Sequence, residues 1–333
     1  MPQASTLSQH LSERFLAAPP DASLAIIFPG QGSHRVGAGR DLHDAFPLAK
    51  EVFQRSEQVL GFALTKLCFE GPDDALRDTA NAQPAILAAS LACLAAALED
   101  GAILRRPAFT AGHSLGEFSA LVAAGALELE DALSLVATRG RLMRDASERR
   151  PGTMIAVIGL NGEALEEVCR ASGVETCNYN SPSQVVIGGP VAAVEQVARL
   201  IKERGGRGLP LNVSGAFHTS LMAPVEEEFA RAVDACPVRD PVIPVVANTT
   251  AQPLTTAAAV REELRRQITR PVLWHQSVMT MTAAGVTTFV ETGPGRILSG
   301  LIKRLPAGKQ DAGAGLTALN LDSVESLAAL RDV

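Results

Sequence analysis

Two rhythms of apolar and polar positions alternate along the chain. Short continuous apolar runs such as Leu24-Ala25-Ile26-Ile27-Phe28 suit strands covered on both faces. Between such runs lie stretches with helical spacing, over residues 46–60, 74–77, 84–99 and 129–146. Strands alternating with helices predict an α/β domain on a parallel sheet. The stretch 84–99 is apolar almost all round and predicts a buried helix. Residues 1–22 show neither rhythm and are expected to form a poorly ordered arm with a helical turn or two, ending at Pro19-Pro20.

After Pro151-Gly152 the rhythm changes. Residues 153–160 read as a strand, 162–171 as a helix, 174–179 and 184–188 as two strands across an Asn-Ser-Pro turn, 191–204 as a helix and 208–213 as a strand. That β-α-β-β-α-β order predicts a small ferredoxin-like domain at 152–213, inserted into a large α/β domain of 23–151 and 214–333. A later strand is predicted at 287–291, ahead of Thr292-Gly293-Pro294-Gly295, and the Ala/Gly run at 312–315 reads as a loop.

The most informative short pattern is Gly112-His113-Ser114-Leu115-Gly116. A chain with 28 glycines contains Gly-x-Ser-x-Gly strings by chance. Here, however, a short apolar strand at 108–111 precedes it and an apolar helix at 115–124 follows, which is the setting of a hydrolase-like serine elbow. Side chains at either glycine would collide with strand or helix, and the turn presents the Ser114 hydroxyl. The Leu115 amide at the helix start is placed to stabilise an oxyanion.

A serine hydroxyl needs a base. Of six histidines, His10 lies in the arm, and His43 and His275 sit in ordinary helical or loop contexts. His113 adjoins the serine, with its side chain expected to point away from the hydroxyl. His34 and His218 remain, and local sequence leaves both open. The segment Phe28-Pro29-Gly30-Gln31-Gly32-Ser33 invites a dinucleotide reading, but G-x-G-x-x-G fails because Arg35 stands where the third glycine belongs. The turn instead offers the Gln31 amide as a complement to Leu115.

Composition narrows the function classes. A net charge of −6 and 4% aromatic residues disfavour nucleic-acid binding. Five scattered cysteines without a CxxC pair suit reduced thiols in the cytoplasm. No continuous apolar run reaches the roughly 18 residues of a membrane span, and Glu13 and Arg14 interrupt any apolar signal run.

Seven segments occur in an order that resembles the malonyl-CoA:acyl carrier protein transacylases: 28–33, Ala82-Gln83-Pro84-Ala85, 112–117, Arg139 in Thr138–Met143, Asn178–Pro182, Gly215–Met222 and Glu291–Gly295. The resemblance spans residues 24 to about 305. It implies Ser114 as nucleophile, His218 as base oriented by the backbone carbonyl of Gln267, and the amides of Gln31 and Leu115 as oxyanion hole. Arg139 would pair with the malonyl carboxylate, and Gln83 would stand among the substrate-binding residues. Phe217 would narrow the space beside the malonyl C2 atom, as in malonyl-selective members. The implied partners are malonyl-CoA and an acyl carrier protein, with no metal or redox cofactor, nucleic acid or membrane.

The arginine has its own chemical case, since malonyl differs from acetyl by a carboxylate that a guanidinium accepts through two charge-assisted bonds. Spacing alone does not choose among Arg139, Arg141 and Arg144; the resemblance selects Arg139. An acidic carrier would dock on a local basic patch, with Arg296, Lys303 and Arg304 the candidates. His34 departs from the family, which usually has glutamine there. Three other readings stand beside the main one: a trans-acting acyltransferase of a polyketide or polyunsaturated fatty acid synthase, a thioesterase with a triad acid, and an inactive binding module.

Overall fold

The computed structural model describes residues 7–103, 105–160, 162–305 and 315–331. Residues 1–6 of the expected arm and 312–314 of the Ala/Gly run lie outside the described residues. The strands are β1 (Pro20–Phe28), β2 (Arg106–Gly112), β3 (Gly152–Ile158), β4 (Glu175–Ser181), β5 (Gln184–Pro190), β6 (Arg207–Pro210), β7 (Val245–Val246), β8 (Pro253–Leu254), β9 (Thr288–Thr292) and β10 (Thr317–Leu321).

Six of them form one sheet in the order β10-β9-β1-β2-β7-β8, parallel except for β8. Alternate side chains of a strand face opposite ways, and β1 shows the result. Ile26 and Phe28 join the larger apolar core, while Ala25 and Ile27 join a second core with Trp274 and Phe289. Helices cover both faces, which is why the central strands read as continuous apolar runs. The helix Thr79–Asp100 is long and apolar enough to cross a membrane, but 94% of its most apolar window is buried inside the protein.

A second, antiparallel sheet, β4-β5-β3-β6, comes from one continuous segment with helices Gly162–Ser172 and Val191–Glu203. Ile155, Val157, Val185 and Ile187 face those helices, whereas Met154, Ala156 and Val186 face the large core. A parallel bridge between Asn178 and Val272 ties β4 to the large domain, with Tyr179 N–H donating to the Val272 carbonyl at 2.8 Å.

Three expectations need correction. The N-terminal arm is not poorly ordered where it is described: Leu7–Ala17 is helical, and Leu11 and Phe15 are buried in the larger core. Four residues apart, they form one apolar stripe that packs near Gly116–Ala123. Strand β1 also begins at Pro20 rather than Leu24, pairing with Arg106 before a register shift. The helix expected at 84–99 starts at Thr79, because the Asp78 side chain caps it by accepting from Ala80 N–H at 2.8 Å. Pro84 then lies inside the helix, at the cost of one backbone hydrogen bond.

Candidate active site

Strand β2 ends at Gly112, the chain turns through Ser114 and helix Gly116–Ala123 begins. Ser114 has φ 52°, a left-handed conformation costly for a non-glycine residue. The two glycines permit it: a Cβ on Gly112 would lie 1.9 Å from the Gly116 carbonyl carbon, and one on Gly116 would lie 2.1 Å from the Phe28 carbonyl oxygen. The close approach of the helix start to the ends of β1 and β2 therefore admits no side chain at either position.

The turn delivers the Ser114 hydroxyl to His218, with Oγ 2.7 Å from Nε2. His218 also has positive φ, 62°, and its Nδ1 donates to the carbonyls of Gln267 at 2.9 Å and Arg270 at 3.0 Å. With the Nδ1 proton held by carbonyls, the lone pair of Nε2 faces the hydroxyl. Burial, followed by the positive charge of Arg139, holds this imidazole down to about 3, so the neutral base persists at neutral pH. No carboxylate touches its ring among the described residues, so the site is a dyad oriented by backbone rather than a triad.

Arg139, 1% exposed, projects from helix Leu129–Arg149 to the far side of the same hydroxyl. Nη2 donates to Ser114 Oγ at 3.0 Å and to Gln267 Oε1 at 3.0 Å, and Nη1 donates to Gln83 Oε1 at 2.8 Å. Burial lowers the guanidinium to about 10, opposed by Glu117, which leaves it charged at neutral pH. Among the described residues no carboxylate contacts it, and its buried Nε has no partner. The guanidinium is thus held by neutral amide oxygens and retains its capacity for an anion.

A cavity of about 490 Å³ opens beside the elbow, between the two sheets. Gly30, Gln31 and His113 form its inner end, Asn178, Asn180 and Gln184 its small-domain wall, and Ile297 and Leu298 part of the other. The backbone N–H groups of Gln31 and Leu115 have no acceptor among the described residues, which leaves them available to an oxyanion. His113 points away from the hydroxyl, as its placement predicts, and its Nε2 lies 2.9 Å from Asn180 Oδ1.

The structure thus brings Ser114, His218, Arg139, Gln83 and Gln267 into direct contact. Phe217, directly before His218, is buried and packs in the larger apolar core. His34 lines the cavity without reaching the serine, and its buried Nδ1 has no partner. Sequence reasoning missed Asn248, whose Oδ1 accepts from Ser114 N–H at 2.7 Å, and Glu117, buried in the helix after the elbow. Glu117 carried a signal, a lone carboxylate in an otherwise apolar helix; Asn248 carried none.

Comparison with known proteins shows the family of the chain. Residues 25–313 match the acyl transferase domain family. The malonyl CoA-acyl carrier protein transacylase of Bacillus subtilis (strain 168) is 43% identical over 290 residues, covering 85% of this chain and 90% of that protein. The Haemophilus influenzae transacylase is 40% identical, covering 92% and 98%. Among solved structures, FabD from Acinetobacter baumannii superposes with a TM-score of 0.87 at 38% identity, covering 95% of this chain and 98% of that one. The malonyl-transacylase PlMCAT, solved in complex with the type II PKS acyl-carrier protein AntF, also gives 0.87 at 38% identity, covering 93% and 99%. The chain belongs to the acyl transferase domain family, among the malonyl CoA-acyl carrier protein transacylases.

Proposed function

We propose that this acyltransferase moves a malonyl group from malonyl-CoA to the phosphopantetheine thiol of an acyl carrier protein through malonyl-Ser114. The observation that carries this reading is a single hydroxyl shared by a base and a cation, with His218 Nε2 at 2.7 Å and Arg139 Nη2 at 3.0 Å from Ser114 Oγ. His218 removes the proton as Oγ attacks the thioester carbonyl. The oxyanion is received by the Gln31 and Leu115 amides. Its collapse breaks the C–S bond, and His218 returns the proton to the departing CoA thiolate. The carrier thiol then repeats the sequence in reverse, leaving serine free. Atoms and protons balance without metal or redox cofactor.

Arg139 selects the acyl group by pairing with the distal carboxylate, which it meets uncapped by any protein anion. Gln83 fixes one side of that guanidinium and Gln267 the other. Phe217, buried one residue before His218, would narrow the space beside the malonyl C2 atom and so disfavour 2-substituted malonyl groups. The free, buried state of all five cysteines supports a reducing, cytoplasmic setting. The neighbour solved with a polyketide carrier keeps a polyketide role open beside fatty acid synthesis.

The test is intact-protein mass after separate incubation with malonyl-CoA, acetyl-CoA and methylmalonyl-CoA. A stable malonyl adduct is expected on the wild type and none on Ser114→Ala. An adduct surviving in that variant would place the nucleophile elsewhere.

A further inference from the structure

Glu117 is buried one turn behind the nucleophile and takes no part in the transfer as written. Its two oxygens face opposite neighbours. Oε1 accepts from Asn248 backbone N–H at 2.8 Å and from Asn248 Nδ2 at 3.2 Å, and Oε2 accepts from Gln267 Nε2 at 2.6 Å. Each neighbour in turn holds one flank of Ser114. Asn248 Oδ1 accepts from Ser114 N–H at 2.7 Å, while Gln267 Nε2 donates to the Ser114 carbonyl at 2.9 Å. Asn248 Nδ2 also reaches the Gly112 carbonyl at 2.7 Å.

The same carboxylate is coupled to the arginine. Because Glu117 accepts from Gln267 Nε2, the amide of Gln267 is oriented with Oε1 toward Arg139. An amide facing the other way would aim N–H at the guanidinium. Glu117 does not touch the guanidinium; the Gln267 amide stands between them.

We propose that Glu117 is a positioning residue: through Asn248 it holds the left-handed Ser114 peptide, and through Gln267 it aims Arg139 while leaving the guanidinium open to the substrate carboxylate. This rests on the malonyl-transfer reading above. Two arms follow. The Asn248 arm sets the rate of serine acylation by any acyl group. The Gln267 arm sets preference for a carboxylated one.

Glu117→Gln keeps the size of the side chain but offers one acceptor where two are needed. Gln267 then loses its orienting partner, and acylation by malonyl-CoA should fall more than acylation by acetyl-CoA. The expected drop in the malonyl-to-acetyl ratio of kcat/KM is about 10-fold or more, within the roughly 10²-fold that a 1 Å misplacement costs. Asn248→Ala, which leaves Glu117 and Gln267 in place, should slow both acyl groups by a common factor of about 10 with the ratio unchanged. Thermal unfolding run on each variant reports folding.

Equal slowing of both acyl groups in a folded Glu117→Gln would reduce Glu117 to a structural residue and overturn the proposal, as would a raised ratio. If Glu117→Gln does not fold, Asn248→Ala still decides the relay, because a normal acylation burst there removes it. Failure of the wild type itself to take up malonyl would reject the transfer reading instead.

Discussion

Behind Ser114 the side chain of Arg139 is buried and touches no carboxylate, whereas Arg296 beside the cavity is 70% exposed and lies 4.0 Å from Asp322. Arg296 directly precedes Ile297 and Leu298 of the cavity wall, and with Lys303 it lines a separate surface pocket. Water and a nearby anion stabilise the outer charge, which screening weakens and which can meet many partners. The inner charge is desolvated and fixed by Gln83 and Gln267, so an anion brought there gains what water no longer supplies. On the proposed reading, chemistry and acyl choice belong to the inner region. Encounter with the carrier would belong to the outer one.

The comparison breaks first at His218. If the inner region is a preorganised acylation site, His218→Ala should fold and still bind malonyl-CoA, with serine acylation slowed by about 10²–10⁴-fold, the range attributed to general-base catalysis. Pre-steady-state acylation measures it. A near-normal burst would move the base away from His218, with His34 in the cavity wall next in line.

Arg139→Ala sharpens the comparison by separating acyl choice from chemistry. Loss of one partner from a desolvated charge pair costs about 3 kcal/mol, so malonyl transfer should fall roughly 10²-fold. Acetyl transfer, which has no carboxylate to lose, should fall much less. Equal losses would make Arg139 a packing residue.

Much of the inner region was legible because its constraints are local. Gly112 and Gly116 had to be glycines where β1 and β2 meet the next helix, and strand, turn and helix follow within a dozen residues. The partner of the serine was not legible that way, since His218 lies 104 residues on and reaches Ser114 only when the chain returns from the small domain. Resemblance, not spacing, separated it from His34 and chose Arg139 over Arg141 and Arg144. Asn248 escaped because an asparagine in a loop has no periodicity, and its role comes from β7 placing it under the elbow. The N-terminal helix escaped because Leu11 and Phe15 alone make a weak stripe, whose meaning depends on the groove they fill. Strand β10 escaped because Thr317–Leu321 is short and acquires its identity by pairing with β9.

Acid titration sharpens the comparison further, because burial makes a base such as His218 resist protonation. An unfolded histidine titrates near 6.5, while His218 in the fold is held down to about 3. Between those values the unfolded chain binds a proton that the folded one refuses, so this group's contribution to stability is present above pH 6.5 and lost as pH falls toward 3. His113, also lowered by burial, acts in the same direction. Glu117, raised by burial and by Glu263, acts in the opposite one. Comparing wild type with His218→Gln isolates the His218 part. The variant should show a shallower fall in Tm from pH 6.5 to 4, and parallel curves would mean that His218 is not held neutral by the fold.

The smallest effect is expected at the outer region. The chain carries a net charge of −6, so an acidic carrier protein would be repelled on average and must find local positive charge. Arg296, Lys303 and Arg304 are exposed on and beside helix Ile297–Ile302, whose residues also line the cavity. Exposed charges act over a Debye length of about 8–10 Å at physiological salt, and rim charges of this kind alter association more than the bound state. Raising salt should therefore increase the apparent KM for the carrier a few-fold while acylation of Ser114 by malonyl-CoA in single turnover changes less. Lys303→Glu should increase the carrier KM in the same direction and flatten its salt dependence. If the variant matched wild type at low salt, the carrier would approach by another face, and the division between an inner region that chooses the acyl group and an outer one that gathers the carrier would have to be redrawn.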